Sequence, residues 1–334
     1  MPTNVTPEYK KAEAAYRTAR DPGERLTLLK EMLRTIPKHK GTEHRQAEIK
    51  SRIKDLTAEL SQGRKGGARS GPDLVIHPDG AAQVALIGAA NTGKSALHGR
   101  LTGSHAQVGA YPYTTQYPTP GMLHYEDITI QLVDLPAVSP EHPITWIGNT
   151  LEPADAALFV VDLGRAGCVE GAIAAHDVLA ERGVHLAGWN GSGEVSADDP
   201  FGIVLPTLLV ASKSDAVANL EEELETFLEL TGYHYPTHAV SAETGEGLEE
   251  LGRWLFEHLG IVRVYTKIPG QPPDMGRPFT VRRGQTAHDV ARLVHRDIAA
   301  SLKYARIWGS ATFEGQQVGP DHVVIDGDVL ELHA

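Results

Sequence analysis

Residues 88 to 95 read GAANTGKS, directly after the apolar run Val84 to Ile87 and directly before ALHGRL, residues 96 to 101, which suits a helix. The spacing GxxxxGKS gives a loop whose backbone N–H groups, with the N-terminus of the helix that follows, surround phosphate oxygens. In that loop Gly88, Asn91, Thr92 and Gly93 supply backbone, Lys94 reaches the outer phosphate oxygens, and Ser95 offers its hydroxyl to Mg²⁺. A strand before and a helix after is the context such a loop requires. The chain is therefore expected to bind a nucleoside triphosphate.

Short apolar runs recur after the loop: Ile128 to Val133, Ala156 to Val161, Thr207 to Ala211 and His238 to Val240. Amphipathic stretches lie among them, with Leu220, Leu224, Phe227 and Leu228 on one face and later Leu248, Leu251, Leu255 and Leu259. This alternation predicts an α/β domain with a mainly parallel sheet over residues 79 to 260.

The ends of those runs carry the choice of nucleotide. Asp134 closes one, as an aspartate that holds Mg²⁺ through water does. Ser212-Lys213-Ser214-Asp215 follows another and places a carboxylate to accept both guanine N–H donors, and Ser241-Ala242 follows a third. Adenine offers no matching donor pair, so the expected ligands are GTP and GDP. Each short motif is weak alone, but their order and spacing reinforce one another.

Upstream, residues 1 to 70 read as a helical arm. Thr6-Pro7 and Asp21-Pro22-Gly23-Glu24 are helix openings, Leu26, Leu29 and Leu33 share a helical face that stops near Ile36-Pro37, and a third helix is expected from Thr42 to about Leu60. SQGRKGGARSG, residues 61 to 71, has no large apolar anchor and reads as a linker. Downstream, residues 261 to 334 hold strand-like pieces (VRVYTKI, RPFTV, VVI, VLELH) around one helical stretch from Ala287 to Ser301, a small α+β domain.

Charge separates these regions. The whole chain of 334 residues carries −12, but residues 1 to 70 carry +7, residues 71 to 260 carry −20 and residues 261 to 334 carry +1. An acidic middle repels nucleic acid and a basic arm pairs with phosphates, so RNA contact is expected on the arm. The polar N-terminus and short apolar runs predict a cytoplasmic protein without a membrane partner. The single cysteine, Cys168, forms no internal disulfide, and no His/Cys cluster has zinc spacing.

In the order and spacing of these motifs the chain resembles the Obg and developmentally regulated GTP-binding protein group of translation-factor-class GTPases. Tyr111-Pro112-Tyr113-Thr114-Thr115 with Pro118 and Gly121 resembles that group's switch I, and DLPA, residues 134 to 137, its switch II DxPG. Val264-Tyr265-Thr266-Lys267, Gly270 to Asp274, His295, Tyr304 to Gly309, Val318-Gly319 and Asp328-Val329 resemble the TGS domain, a β-grasp-like module found also in threonyl-tRNA synthetases and stringent-response enzymes. Pro37 to Glu43 in the arm fits as well. The resemblance implies a GTPase acting around ribosomes or translation, with the arm and TGS domain contacting RNA, the ribosome or a protein. It also implies Mg²⁺ held by Ser95, Thr115 and Asp134, and catalysis involving Lys94, Thr115 and Asn91.

Three positions depart from that pattern. Ala137 stands for the glycine whose N–H meets the γ-phosphate, and keeps the N–H while restricting the backbone flip. Ser212 stands for the asparagine that braces guanine and the phosphate loop, a loss of about one net hydrogen bond or roughly 0.5–1.5 kcal/mol. Val138 stands where many GTPases carry a water-orienting glutamine. Related GTPases with an apolar residue there bind K⁺ through an asparagine in the loop, which Asn91 matches, so slow hydrolysis stimulated by K⁺ is expected. The same departures leave a second reading, a guanine-nucleotide-sensing adaptor that scarcely hydrolyses.

Overall fold

Thr6 starts the first helix, α1 (Pro7–Thr18), by accepting the Tyr9 N–H at 3.1 Å, and its hydroxyl also donates to the Thr35 carbonyl at 3.0 Å. That second bond ties α1 to the end of α2 (Pro22–Thr35), and α3 (Glu43–Gln62) packs on α2. Tyr9, Leu29, Met32 and Ile49 are fully buried. This computed structural model describes residues 5–19, 22–37, 42–62, 74, 76–104, 115–142, 144–189, 202–310 and 313–334. The Asp21 cap, Lys38 to Gly41, residues 63–71 of the expected linker and Tyr111 to Thr114 lie outside them. The chain divides into two compact units, Met1–Pro72 and Asp73–Ala334.

In the second unit β1 (Ala82–Ile87) is buried along its whole length and lies parallel to β3 (Ile128–Asp134) on one side and β4 (Ala156–Asp162) on the other. β4 pairs with β6 (Ile203–Ser212), whose successive stretches pair with β5 (Val184–Ala187) and β7 (Thr237–Ala239), all parallel. Among the described residues the one antiparallel strand of this sheet is β2 (Thr119–Tyr125), on the edge beside β3.

Strands apolar on both faces need cover on both faces. Ile87, Phe159, Val161 and Leu209 pack with α5 (Ile147–Leu151), α6 (Cys168–Glu181) and Phe227 of α7 (Leu220–Thr231). On the other side Val84, Leu86, Leu158 and Val160 pack with Leu97 of α4 (Lys94–Thr102) and Leu251 and Leu255 of α8 (Leu248–His258). Short β5 and half-polar β2 lack the apolar run that reveals the other strands.

A five-stranded sheet follows, with β8 (Ile261–Thr266), β9 (Asp274–Arg282), β10 (Tyr304–Trp308), β11 (Gln316–Val318) and β12 (Asp328–His333) in the order β11-β10-β12-β8-β9. β8 and β12 are parallel and the other pairs antiparallel. Two expectations are corrected here. The single helix from Ala287 to Ser301 is two, α9 (Ala287–Val294) and α10 (Arg296–Ser301), because extended His295 (φ −166°) closes one and its ring caps the next by accepting the Asp297 N–H. The VVI stretch, residues 323 to 325, is no strand: the Ile325 N–H donates to the Asp328 carboxylate at 2.8 Å, and only an isolated bridge joins Val323 to Thr286.

Arg263 joins the two sheets' domains. Its guanidinium pairs with Glu126 and Asp127 of the β2–β3 turn and with Asp326 at 2.7 Å, and lies 4.7 Å over the Phe256 ring. The Tyr265 hydroxyl donates to Asp127 at 2.5 Å, and Arg282 pairs with Asp155 at 2.7 Å. Among the described residues no helix is long and apolar enough to cross a membrane.

Candidate nucleotide-binding site

The loop after β1 depends on its glycines. Gly88 has φ +152°, and a Cβ there would lie 2.4 Å from the Val160 carbonyl oxygen, so no other residue fits without moving β4. Asn91 is exposed and left-handed at φ 62°, a conformation that asparagine tolerates better than most residues. Gly93, at φ 88°, opens α4 with no side-chain cap. The first amides of α4 are thus left for a ligand, and the helix N-terminus favours an anion.

Lys94 is buried and donates to the Gly88 and Ala89 carbonyls at 3.0 and 2.7 Å. Burial pulls its ammonium down to about 8, an effect that Asp134 opposes. Asp134, at the end of β3, is buried too and its carboxyl is held above the usual range chiefly by desolvation, with the Ser95 hydroxyl bond opposing. Ser95 Oγ donates to Asp134 Oδ2 at 2.5 Å, and Thr115 Oγ1 lies 3.0 Å from Ser95 Oγ and 3.4 Å from the same carboxylate oxygen. Asp134 Oδ1 is buried with no hydrogen-bond partner among the described residues. Three hard oxygen donors beside an unsatisfied carboxylate oxygen fit Mg²⁺.

Switch II lies beneath this cluster. Leu135 and Val138 are buried in the core with Ile87 and Phe159, the Val138 N–H donates to the Gly88 carbonyl at 3.2 Å, and Ala137 is buried as well. Val138 therefore faces the core, not a phosphate-bound water. His142, just beyond, is exposed.

The base-side residues gather where β6 and β7 end. Buried Ser212 has its Oγ 2.5 Å from the Thr92 carbonyl and 2.9 Å from that of Val161. A serine here still reaches the phosphate loop, so the loss expected from replacing asparagine narrows to the base-side bond. Left-handed Lys213 (φ 55°) sends Nζ to the Asn91 carbonyl at 3.1 Å and to Asp162 at 2.6 Å. Asp215 is exposed on the 3-10 turn Ser214–Ala216. The Ser214 N–H donates to the Val240 carbonyl, which sets Ser241-Ala242 beside that turn, and Ser241 Oγ accepts the Thr244 N–H at 3.0 Å.

Apart from Thr115, which precedes antiparallel β2, these residues lie at or after the carboxyl ends of parallel strands, where open α/β sheets bind ligands. Two further residues belong with them, Asp162 as the partner of Lys213 and Arg165, whose guanidinium donates to the Ala90 carbonyl. No motif marks either. Four successive loop carbonyls thus face cations: Gly88 and Ala89 face Lys94, Ala90 faces Arg165 and Asn91 faces Lys213.

Comparison with known proteins finds similarity to GTP-binding proteins. Residues 83–186 match the 50S ribosome-binding GTPase family and residues 262–334 match the TGS domain. An uncharacterised GTP-binding protein of Methanocaldococcus jannaschii is 28% identical, with 92% of each chain covered. Developmentally-regulated GTP-binding protein 1 of Xenopus laevis is 28% identical over 90% of this chain and 96% of its own. GTP-binding protein 1 of Schizosaccharomyces pombe is 26% identical, covering 92% and 98%. Among solved structures, the FeoB G-domain from Methanococcus jannaschii aligns over 53% of this chain and 97% of its own at 22% identity and a TM-score of 0.35.

Proposed function

We propose that the chain is a GTP-binding protein of the developmentally regulated type, a P-loop GTPase domain followed by a TGS domain, and that it is a slow, cation-assisted GTPase acting as a cytoplasmic switch on the ribosome or its RNA. The observation that carries the reading is the convergence of Ser95, Thr115 and Asp134 beside the unsatisfied Asp134 Oδ1. A protein that merely held a nucleotide would have little use for a switch threonine in that cluster.

In this reading Ser95, Thr115 and Asp134 would hold Mg²⁺, which would neutralise charge developing on the phosphates. Lys94 and the α4 amides bind the phosphates, and Asp215 selects guanine. Thr115 reports the γ-phosphate by joining switch I to the metal cluster. With Val138 turned into the core, no side chain of switch II orients the attacking water. Exposed Asn91 would hold a monovalent cation, which would supply positive charge there; charge of this kind is worth about 10³–10⁵ in rate when an arginine provides it. The +7 arm and the ribosome-binding name of the matching family support a ribosomal partner.

The test is steady-state GTP turnover in KCl and in matched NaCl, with and without ribosomes, and with Asn91→Ala as control. Turnover should rise with K⁺ and lose that dependence in the variant. Equal turnover in the two salts removes the ion from the mechanism. Tight GTP binding without turnover in any condition establishes the second reading, the nucleotide-sensing adaptor, which the buried Val138 and the alanine at 137 favour.

A further inference from the structure

Arg165 lies in DLGRAG, residues 162 to 167, the loop after β4, outside every nucleotide-binding motif of the chain. Its backbone is pinned on both sides, since its N–H donates to the Asp162 carbonyl and its carbonyl accepts the Cys168 N–H, both at 3.2 Å. The side chain crosses to the phosphate loop and donates through Nη1 to the Ala90 carbonyl. Arg165 is exposed and has no ion pair among the described residues. In a region carrying −20, a guanidinium left without a carboxylate and placed against the phosphate loop is out of keeping with its surroundings.

The other two cations facing that loop have assigned work, Lys94 on the phosphates and Lys213 beside the base. Arg165 meets the loop between them, at the residue before Asn91. We propose that Arg165 is a catalytic arginine supplied in cis: with GTP bound, its guanidinium leaves or shares the Ala90 carbonyl and donates to the β–γ bridging oxygen and the adjoining oxygens of the transferring phosphoryl group. The inference rests on the GTPase reading above.

In the reaction water oxygen bonds to the γ-phosphorus while the bond from that phosphorus to the β–γ bridging oxygen breaks. The electron pair of that bond stays on GDP, and the water proton leaves with phosphate. Negative charge grows on the bridging oxygen as the bond breaks, and a guanidinium aimed there stabilises the transition state more than bound GTP. Its contribution therefore falls on kcat and leaves nucleotide affinity nearly unchanged.

The experiment compares the full chain with Arg165→Ala and Arg165→Lys in saturating KCl, measuring kcat and KM for GTP and binding of fluorescent GDP with and without aluminium fluoride. Arg165→Ala should lower kcat about 10²- to 10³-fold and abolish the aluminium fluoride complex. KM and GDP affinity should stay within about threefold, with Arg165→Lys restoring part of the rate because it keeps the charge without the fork. Wild-type kcat in Arg165→Ala, or a parallel fall in GDP affinity and kcat that marks a loop brace, overturns the assignment while the GTPase reading stands. Absence of turnover in the unaltered chain overturns both.

Discussion

Ser212 Oγ lies 2.5 Å from the Thr92 carbonyl oxygen, so the end of β6 is tied to the phosphate loop by one buried hydroxyl. In the proposed site the bond links the loop that would select the base to the loop that would hold the phosphates. Ser212→Ala leaves the buried Thr92 and Val161 carbonyls without this donor, at a cost of about 1–3 kcal/mol in stability. GDP and GTP affinity should fall about two- to tenfold together as the loop loosens. The preference for guanine over adenine should persist, because it rests on Asp215. Fluorescent GDP titrations with ATP competition measure both, and a collapse of base preference would place selection at Ser212.

Asp134 accepts from Ser95 and Thr115 on Oδ2 and has a buried, unpartnered Oδ1. Asp134→Asn keeps the size of the side chain and removes the charge. The ratio of GTP affinity in Mg²⁺ to that in EDTA should be large for the wild type and approach one in the variant. Isothermal titration in both buffers reads it, and an unchanged ratio would remove Asp134 from the metal site.

Much of this site is legible in sequence because phosphate and guanine recognition demand fixed residues at fixed spacing. Gly88, Lys94, Ser95, Asp134 and Asp215 are read that way, and the strands that place them carry apolar runs with only an occasional buried polar residue such as Gln83 or Gln131. Arg165 and Asp162 are not, since a single arginine or aspartate beyond a strand has no periodicity or partner in the chain near it. The turn of Val138 into the core depends on packing against Phe159 and Ile87, which no local pattern encodes. His295 breaks a continuous helical pattern because its ring accepts the Asp297 N–H, a competition of side chain with backbone that apolar spacing does not register.

Arg263 gathers three carboxylates, Glu126, Asp127 and Asp326, with only 17% of its side chain exposed. Arg263→Ala leaves these like charges together and should cost roughly 1–3 kcal/mol, discounted from a fully buried pair because the carboxylates are partly solvated. The β2–β3 turn and the TGS domain should then unfold separately, seen by calorimetry as one transition of residues 73–334 becoming two. Arg263→Lys should recover less than half, since a lysine cannot serve several carboxylates with one planar fork. A single unshifted transition in Arg263→Ala would show that Arg282 and its partner Asp155 suffice.

Tyr235, half-buried against the Leu186 carbonyl, has its hydroxyl pushed up to about 12 by burial. An unfolded tyrosine ionises near 10, so between about pH 10 and 12 the unfolded chain sheds this proton first. Stability from this group is whole below pH 10 and is lost as pH rises towards 12. Tyr235→Phe should flatten part of the alkaline fall in thermal midpoint, and an identical slope would assign that fall to other groups.

The arm can be removed cleanly. Its helices pack α1 on α2 and α2 on α3, and Met1–Pro72 forms a compact unit of its own. Residues 1 to 70 hold 16 of the chain's 31 basic residues, so a chain lacking them should lose salt-sensitive association with ribosomes or RNA. The slope of log affinity against log salt should shrink by about 0.7–0.9 for each phosphate that the arm no longer neutralises. GTP affinity should stay within about twofold, because every nucleotide-facing residue lies after residue 87. Co-sedimentation across a salt series decides the matter: unchanged association would move the contact to the near-neutral TGS domain, where salt has little charge to screen.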